Sequence, residues 1–67
     1  ERLSVMLAAL DGRPATPFEV ARRVFPEDLT DHQLRFALAE TLAHLEHLEG
    51  EGYVERVADG VVSYQAV

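Results

Sequence analysis

A run of regularly spaced leucines is the feature that most limits how this chain can fold. Leucine recurs at intervals of four and three residues between positions 34 and 48. The spacing returns to one side of a helix at each turn, so it predicts a helix over residues 31–49 with these side chains in a core. Thr30 or Asp31 can cap its start, and Gly50 is expected as the left-handed residue after its end. The predicted core residues of this helix are Leu34, Leu38, Leu42, Leu45 and Leu48.

Two shorter helices are predicted upstream. The first covers residues 2–10, because four apolar residues recur there at helical spacing, and Asp11-Gly12 stops it. The second begins after the capping residue Thr16 and ends near Val24, before Pro26. Glu19 completes a capping box with the threonine. The residues expected to face the core are Leu3, Met6, Leu7 and Leu10 in the first helix, and Phe18, Ala21 and Phe25 in the second, with Val20 and Val24 beside them.

The end of the chain predicts a β-hairpin. Two β-prone runs, residues 53–57 and 61–64, are separated by Ala58-Asp59-Gly60. A two-residue turn would place Val54 and Tyr64 on opposite faces. A three-residue loop, with Gly60 left-handed, would place Val54, Val62 and Tyr64 on one face. We expect this second register, because it gives the hairpin one apolar face to lay on the helices.

The predicted fold class is therefore mainly α with a small β-hairpin, a winged helix-turn-helix of three helices and a two-stranded wing. Residues 1–67 are expected to form a single domain. A chain of 67 residues without cysteine has a small core and no disulfides to support it. A partner surface would supply the missing stability. Because the sequence opens at Glu1 without an initiator methionine, we expect a piece of a longer chain.

Charge and hydropathy limit the partners. The net charge is −6, with twelve acidic residues against six arginines and no lysine. This balance disfavours binding to nucleic acid, which depends on basic residues that neutralise phosphates. The longest apolar run is far too short to span a membrane, and no segment has the layout of a signal peptide. We therefore expect a cytoplasmic protein.

The surface of the third helix carries the functional prediction. Opposite the leucine stripe, the helical spacing places an aromatic ring, two alanines and two carboxylates, where a DNA-reading helix needs donors and positive charge. This composition predicts a docking face for a partner domain or a second copy of the chain. The competing interpretation is a tolerated exposed phenylalanine among helix-forming alanines. The predicted docking face consists of Phe36, Ala39, Glu40, Ala43 and His47.

Two further groups of residues are weaker candidates for a site. Glu40, His44 and His47 share one helix stripe, but three such residues, without cysteine and without further groups to orient the ligands, make a poor zinc site. We expect His44 to bond locally at the edge of the core and His47 to be solvated. Arg22, Arg23 and Arg56 could form a basic patch, although salt-bridged surface arginines are the more ordinary arrangement. No serine or threonine has the context of an activated nucleophile.

Two runs of the sequence carry a resemblance to a known family. Residues 16–26 (TPFEVARRVFP) and 43–54 (AHLEHLEGEGYV) resemble the small winged-helix domain at the C-terminus of certain metallo-β-lactamase-fold hydrolases. In that family an Ala-His-Leu-x-x-Leu helix leads into a Glu-Gly turn and a strand. The resemblance implies that zinc and the hydrolytic site belong to a preceding catalytic domain. The family's His-x-His-x-Asp-His ligand motif does not occur in these residues, so its activity is not assigned to them. No catalytic residue carries over, and His44 is expected to be structural.

Three functions follow as expectations. The first is a non-catalytic accessory domain of a zinc-dependent hydrolase, docked on the catalytic domain of the parent chain or on a second copy. The alternative is the DNA-binding domain of a bacterial transcriptional regulator. The third is a protein-interaction winged helix in another assembly. In the DNA-binding alternative, the phosphate contacts would be Arg22, Arg23, Arg35 and Arg56.

Overall fold

A computed structural model describes residues 2–67, and at positions 58 and 59 it describes the backbone alone. Three helices are followed by an antiparallel hairpin, so the predicted order of elements is confirmed. The elements are α1 (Arg2–Ala9), α2 (Pro17–Val24), α3 (Asp31–Gly50), β1 (Val54–Asp59) and β2 (Val61–Ala66).

Capping boxes fix where α2 and α3 begin. The Thr16 hydroxyl accepts a hydrogen bond from the Glu19 backbone N–H at 3.1 Å, and the Glu19 carboxylate accepts one from the Thr16 N–H at 2.8 Å. This backbone hydrogen bond holds the pKa of Glu19 below its ordinary value. Thr30 and Gln33 make the same pair of bonds at α3, so Thr30 is the cap and Asp31 is the first helical residue. Both starts are therefore encoded locally, as the sequence indicates.

The end of α3 differs from the prediction. Gly50 is the last helical residue, Glu51 is the C-cap in an ordinary right-handed conformation, and Gly52 takes the left-handed conformation at φ +85°. The Gly52 N–H bonds to Glu49 O at 3.0 Å, and the Tyr53 N–H to Leu48 O at 2.9 Å. Gly52, rather than Gly50, is therefore the left-handed residue at which the chain leaves the helix and turns toward the hairpin.

Exchanging each glycine for alanine is expected to change stability in opposite directions. A methyl group at Gly50 meets nothing within 4 Å, and alanine favours the helix, so Gly50→Ala should stabilise by roughly 0.5 kcal/mol. Gly52→Ala should destabilise by about 1 kcal/mol, because a Cβ strains the left-handed conformation. Urea denaturation of both variants measures the two changes. A loss of stability in Gly50→Ala together with a gain in Gly52→Ala would instead place the left-handed cap at Gly50.

The buried side of α3 is turned away from the centre of the leucine stripe. Ala37, Thr41, Leu45 and Leu48 are buried, whereas Leu42 keeps 40% of its surface exposed. The other two leucines of the stripe, Leu34 and Leu38, are half-buried. The prediction was therefore right for Leu45 and Leu48 and wrong for Leu42. At about 100° per residue, the centre of the buried side lies roughly 45° around the helix axis from the centre of the leucine stripe. The difference arises because the small residues Ala37 and Thr41 are buried where α3 packs against α1 and α2.

A similar displacement occurs in α2. Val20 and Ala21 are its buried residues, and Val24 and Phe25 are half-buried. Phe18 was predicted in the core, yet 51% of its surface is exposed. The side of α2 that faces the core is centred between Val20 and Ala21, and Phe18 lies about 110° from that centre.

The hairpin lays one face on the helices, as predicted. Val54 and Tyr64 are both buried on that face, and Gly60 is left-handed at φ +86°. Gly60 alone separates the strands, so the loop is shorter than the predicted three residues. The observed register differs from the predicted one by two residues. Because side chains alternate between faces with a period of two, each side chain still lies on the predicted face. Val62 shares this face but remains 44% exposed.

Tyr64 connects the hairpin to the rest of the fold. Its backbone N–H and C=O each form a 2.8 Å hydrogen bond with the backbone of Ala15, in the segment between α1 and α2. Its side chain is only 1% exposed and lies among the residues that form the core. These are Met6, Leu10, Ala15, Val20, Leu45, Leu48, Val54 and Tyr64.

Candidate functional site

The side of α3 opposite the core is an open surface that carries two of the exposed large apolar side chains, and we call it the outer face. Phe36 is its largest member and keeps 67% of its surface exposed. The ring of His32 contacts Phe36 edge to face, with 5.1 Å between the centroids. Leu42 adds a second large apolar side chain. The outer face consists of the exposed residues His32, Arg35, Phe36, Ala39, Leu42, Ala43, Glu46 and His47.

Four of the five residues predicted for docking lie on the outer face: Phe36, Ala39, Ala43 and His47. Glu40 differs from the prediction. It is half-buried on the flank beside α1, where its carboxylate binds the Arg2 guanidinium at 2.7 Å. The rotation of α3 explains the position of Glu40. The same rotation exposes Leu42, which the leucine spacing had placed in the core.

Arg2 fastens α1 to the other two helices at this flank. Its guanidinium lies 4.6 Å from the centre of the Phe25 ring, at the end of α2, while it bonds to Glu40 of α3. Stacking on an aromatic face and pairing with a carboxylate suit a planar guanidinium. The flank is therefore occupied by contacts within the domain, which leaves the outer face as the open side of α3.

A shallow groove of about 470 Å³ borders the outer face at the carboxyl end of α3. His47 belongs to both surfaces, and its Nε2 lies 3.7 Å from a carboxylate oxygen of Glu51. Its walls include the apolar side chains of Leu3 and Leu7 from α1 and the exposed ring of Tyr53, which follows α3. The groove is lined by Leu3, Ser4, Leu7, His47, Leu48, Glu51 and Tyr53.

The histidines of α3 behave as the sequence indicates. His44 is half-buried, and its Nδ1 lies 2.7 Å from the backbone oxygen of Glu40, one turn earlier, so its bonding is local. His47 is exposed to solvent. Within residues 2–67, leaving aside the side chains at 58 and 59, no three His, Cys, Asp or Glu residues are grouped to hold a metal ion.

The four arginines of the DNA-binding alternative lie on different elements and have different surroundings. Arg23 donates a 2.8 Å hydrogen bond to the backbone oxygen of Ala9. Arg56, on β1, lies 3.8 Å from a Glu49 carboxylate oxygen. Arg22 and Arg35 are exposed. Arg35 is the only one of the four on the outer face, so that face offers phosphates one guanidinium and the carboxylate of Glu46.

In the part of the chain that the structure describes, no helix has the length and apolar character needed to cross a membrane. The predicted cytoplasmic location stays a prediction.

Comparison with known proteins gives one family and one solved structure. Residues 3–67 match the family model described as "Metallo-beta-lactamase-like, C-terminal domain". The chain is also similar to the crystal structure of a beta-lactamase domain protein from Burkholderia ambifaria, with 30% identity and a TM-score of 0.71. That match covers 96% of this chain and 22% of the other, so the chain spans about a fifth of the length of its structural relative. No curated protein sequence matches it.

Proposed function

Because the chain belongs to the metallo-beta-lactamase-like C-terminal domain family, we propose that it is a non-catalytic accessory domain of a metallo-β-lactamase-like hydrolase and that it acts by protein contact. Its arrangement of three helices and a hairpin supports assignment as a winged helix, with β1 and β2 as the wing. The proposal places the hydrolytic site and its zinc outside these 67 residues. Accordingly, no residue here is assigned a catalytic or metal-binding role.

The observation that carries the proposal is the apolar character of the outer face. Phe36 and Leu42 expose 67% and 40% of their surfaces, and the alanines at 39 and 43 allow a second surface to approach closely. Burying exposed apolar surface is worth roughly 25 cal/mol per Å². The outer face would dock on the catalytic domain of the parent chain or on a second copy.

The DNA-binding alternative has less support. A reading helix presents polar and basic side chains to the bases, whereas the middle of the outer face offers the Phe36 ring and the methyl groups of Ala39 and Ala43. The net charge of −6 would also repel phosphates. Strong, salt-dependent binding of the 67-residue chain to duplex DNA would reverse this preference.

Phe36→Glu is the variant that tests docking. In the 67-residue chain we expect a change in unfolding free energy within about 0.5 kcal/mol, because Phe36 is a surface residue. In the longer protein, the buried carboxylate should weaken the contact, which would appear as a lower unfolding temperature or lost association. Differential scanning calorimetry and light scattering measure these effects.

Phe18→Glu is the matched control, because Phe18 is also an exposed phenylalanine but lies on α2, away from the outer face. We expect it to leave both the chain and the longer protein unchanged. If Phe36→Glu also leaves the assembly, stability and activity of the longer protein untouched, the outer face is not a docking surface.

A further inference from the structure

The outer face carries a second periodicity in addition to the leucine stripe. Six exposed residues follow one another at intervals of four, three, four, three and four along α3. This is the spacing of the seam residues in a coiled coil, which face a partner helix at every turn. The six residues, called the seam below, are His32, Phe36, Ala39, Ala43 and Glu46 of the outer face and Gly50, the last residue of α3.

An antiparallel pair of α3 helices brings this seam into self-complementary register. When the two-fold axis passes at the height of Thr41, Ala39 lies opposite Ala43 of the second copy. By symmetry, Ala43 lies opposite Ala39 of the second copy on the other side of the axis. Phe36 lies opposite Glu46, and His32 opposite Gly50. Two adjoining layers of alanine at the centre allow the helices to approach closely, and the exposed Leu42 side chains flank them.

The charges of the outer face favour the antiparallel direction. Arg35 lies near the amino end of α3 and Glu46 near its carboxyl end, both exposed. No ion pair to Arg35 is formed by the side chains that the structure describes. An antiparallel pair places Arg35 beside Glu46 of the second copy at both ends of the seam and aligns the helix dipoles favourably. A parallel pair would bring like charges together at each end.

We propose that the outer face binds a second copy of this chain through an antiparallel pair of α3 helices related by a two-fold axis. The inference rests on the proposed function, because it names the occupant of the docking face. Such an interface is isologous and closes on itself, so it gives dimers rather than filaments. A standard interface buries about 800 Å² per partner, nearly a fifth of the 4482 Å² surface of this chain. One helix face offers less, so we expect a dissociation constant in the micromolar range, on the order of 10–100 μM.

Cysteine pairing tests both the partner and the direction, because the native chain contains no cysteine. The Ala39→Cys and Ala43→Cys chains are prepared separately, mixed and oxidised at concentrations above the expected dissociation constant. A disulfide requires Cα atoms about 4.4–6.8 Å apart. The antiparallel register therefore predicts rapid formation of the mixed 39–43 dimer and slow linkage in either chain alone. Ala8→Cys, which places an exposed cysteine on α1, measures random collision.

Sedimentation equilibrium of the native chain and of Phe36→Glu gives the second measurement. We expect a monomer–dimer equilibrium for the native chain and at least tenfold weaker association for the variant. Preferential linkage of Ala39→Cys to itself would overturn the antiparallel direction. A native chain that stays monomeric at about 500 μM without preferential linkage would overturn the dimer. If Phe36→Glu still weakened the longer protein in that case, the docking proposal would stand with the catalytic domain as its occupant.

Discussion

Leu45→Ala is expected to leave much of this chain unfolded at 25 °C, whereas Leu42→Ala should leave it folded. Leu45 is completely buried, and removing a buried leucine side chain costs about 2–5 kcal/mol. A domain of this length has only about 3–10 kcal/mol of total stability. Urea denaturation followed by circular dichroism measures the loss as a lower midpoint, or as missing helical signal before denaturant is added.

Leu42→Ala is the matched control, since the two variants have the same composition and both substitutions lie within α3. Leu42 is 40% exposed, so its truncation should cost about 1 kcal/mol or less. The pair tests the rotation of α3 directly. Equal losses for the two variants would restore the leucine stripe as the core side and would remove Leu42 from the outer face.

The starts of α2 and α3 and the glycine of the hairpin turn could be predicted because they depend on residues near one another in sequence. Thr16 and Glu19 cap α2 through bonds that span three residues, and Gly60 supplies the one backbone conformation that the hairpin turn requires. The face of the hairpin followed from the alternation of Val54, Val62 and Tyr64. None of these features depends on where the other helices lie.

The rotation of α3 could not be predicted in the same way. Leucine signals burial strongly, whereas Ala37 and Thr41 look like ordinary helix residues in the sequence. Both are nevertheless buried on the side where α1 and α2 pack. The Oγ1 atom of Thr41 is buried and has no hydrogen-bond partner within the described part of the chain, a cost that sequence patterns do not anticipate. Whether the leucines or the small residues of α3 are buried depends on how the neighbouring helices pack against it.

The central residues of the outer face were predictable because they tolerate this rotation. Phe36, Ala39 and Ala43 lie far enough from the core that a turn of roughly 45° leaves them exposed in both arrangements. Glu40 and Leu42 lie at the two borders of the face. The same rotation therefore makes Glu40 half-buried and exposes Leu42. A surface predicted from helical spacing is therefore most reliable at its middle.

Tyr64→Ala is expected to cost about 3–5 kcal/mol, the largest loss for a single residue in the hairpin. Truncating a buried aromatic ring leaves a large cavity, and here the ring is 1% exposed on the strand that is bonded to Ala15. Tyr53→Ala is the matched control and should cost about 1 kcal/mol or less, because Tyr53 is 58% exposed. Thermal unfolding of the two variants measures the difference. Similar losses would mean that the hairpin does not lay Tyr64 on the helices.

Tyr64→Phe separates the packing of the ring from the chemistry of its hydroxyl. Burial raises the pKa of Tyr64 above its ordinary value, Arg56 opposes this shift, and the carboxylates of Glu49 and Glu46 add to it. The folded chain therefore keeps the phenol proton to a higher pH than the unfolded chain does. The native protein should lose stability as the pH rises above about 10 and through the folded pKa. Tyr64→Phe retains the ring and has no phenol to ionise, so its unfolding free energy should fall less between pH 8 and pH 11. An equal fall in both proteins would show that the hydroxyl is not desolvated in the fold.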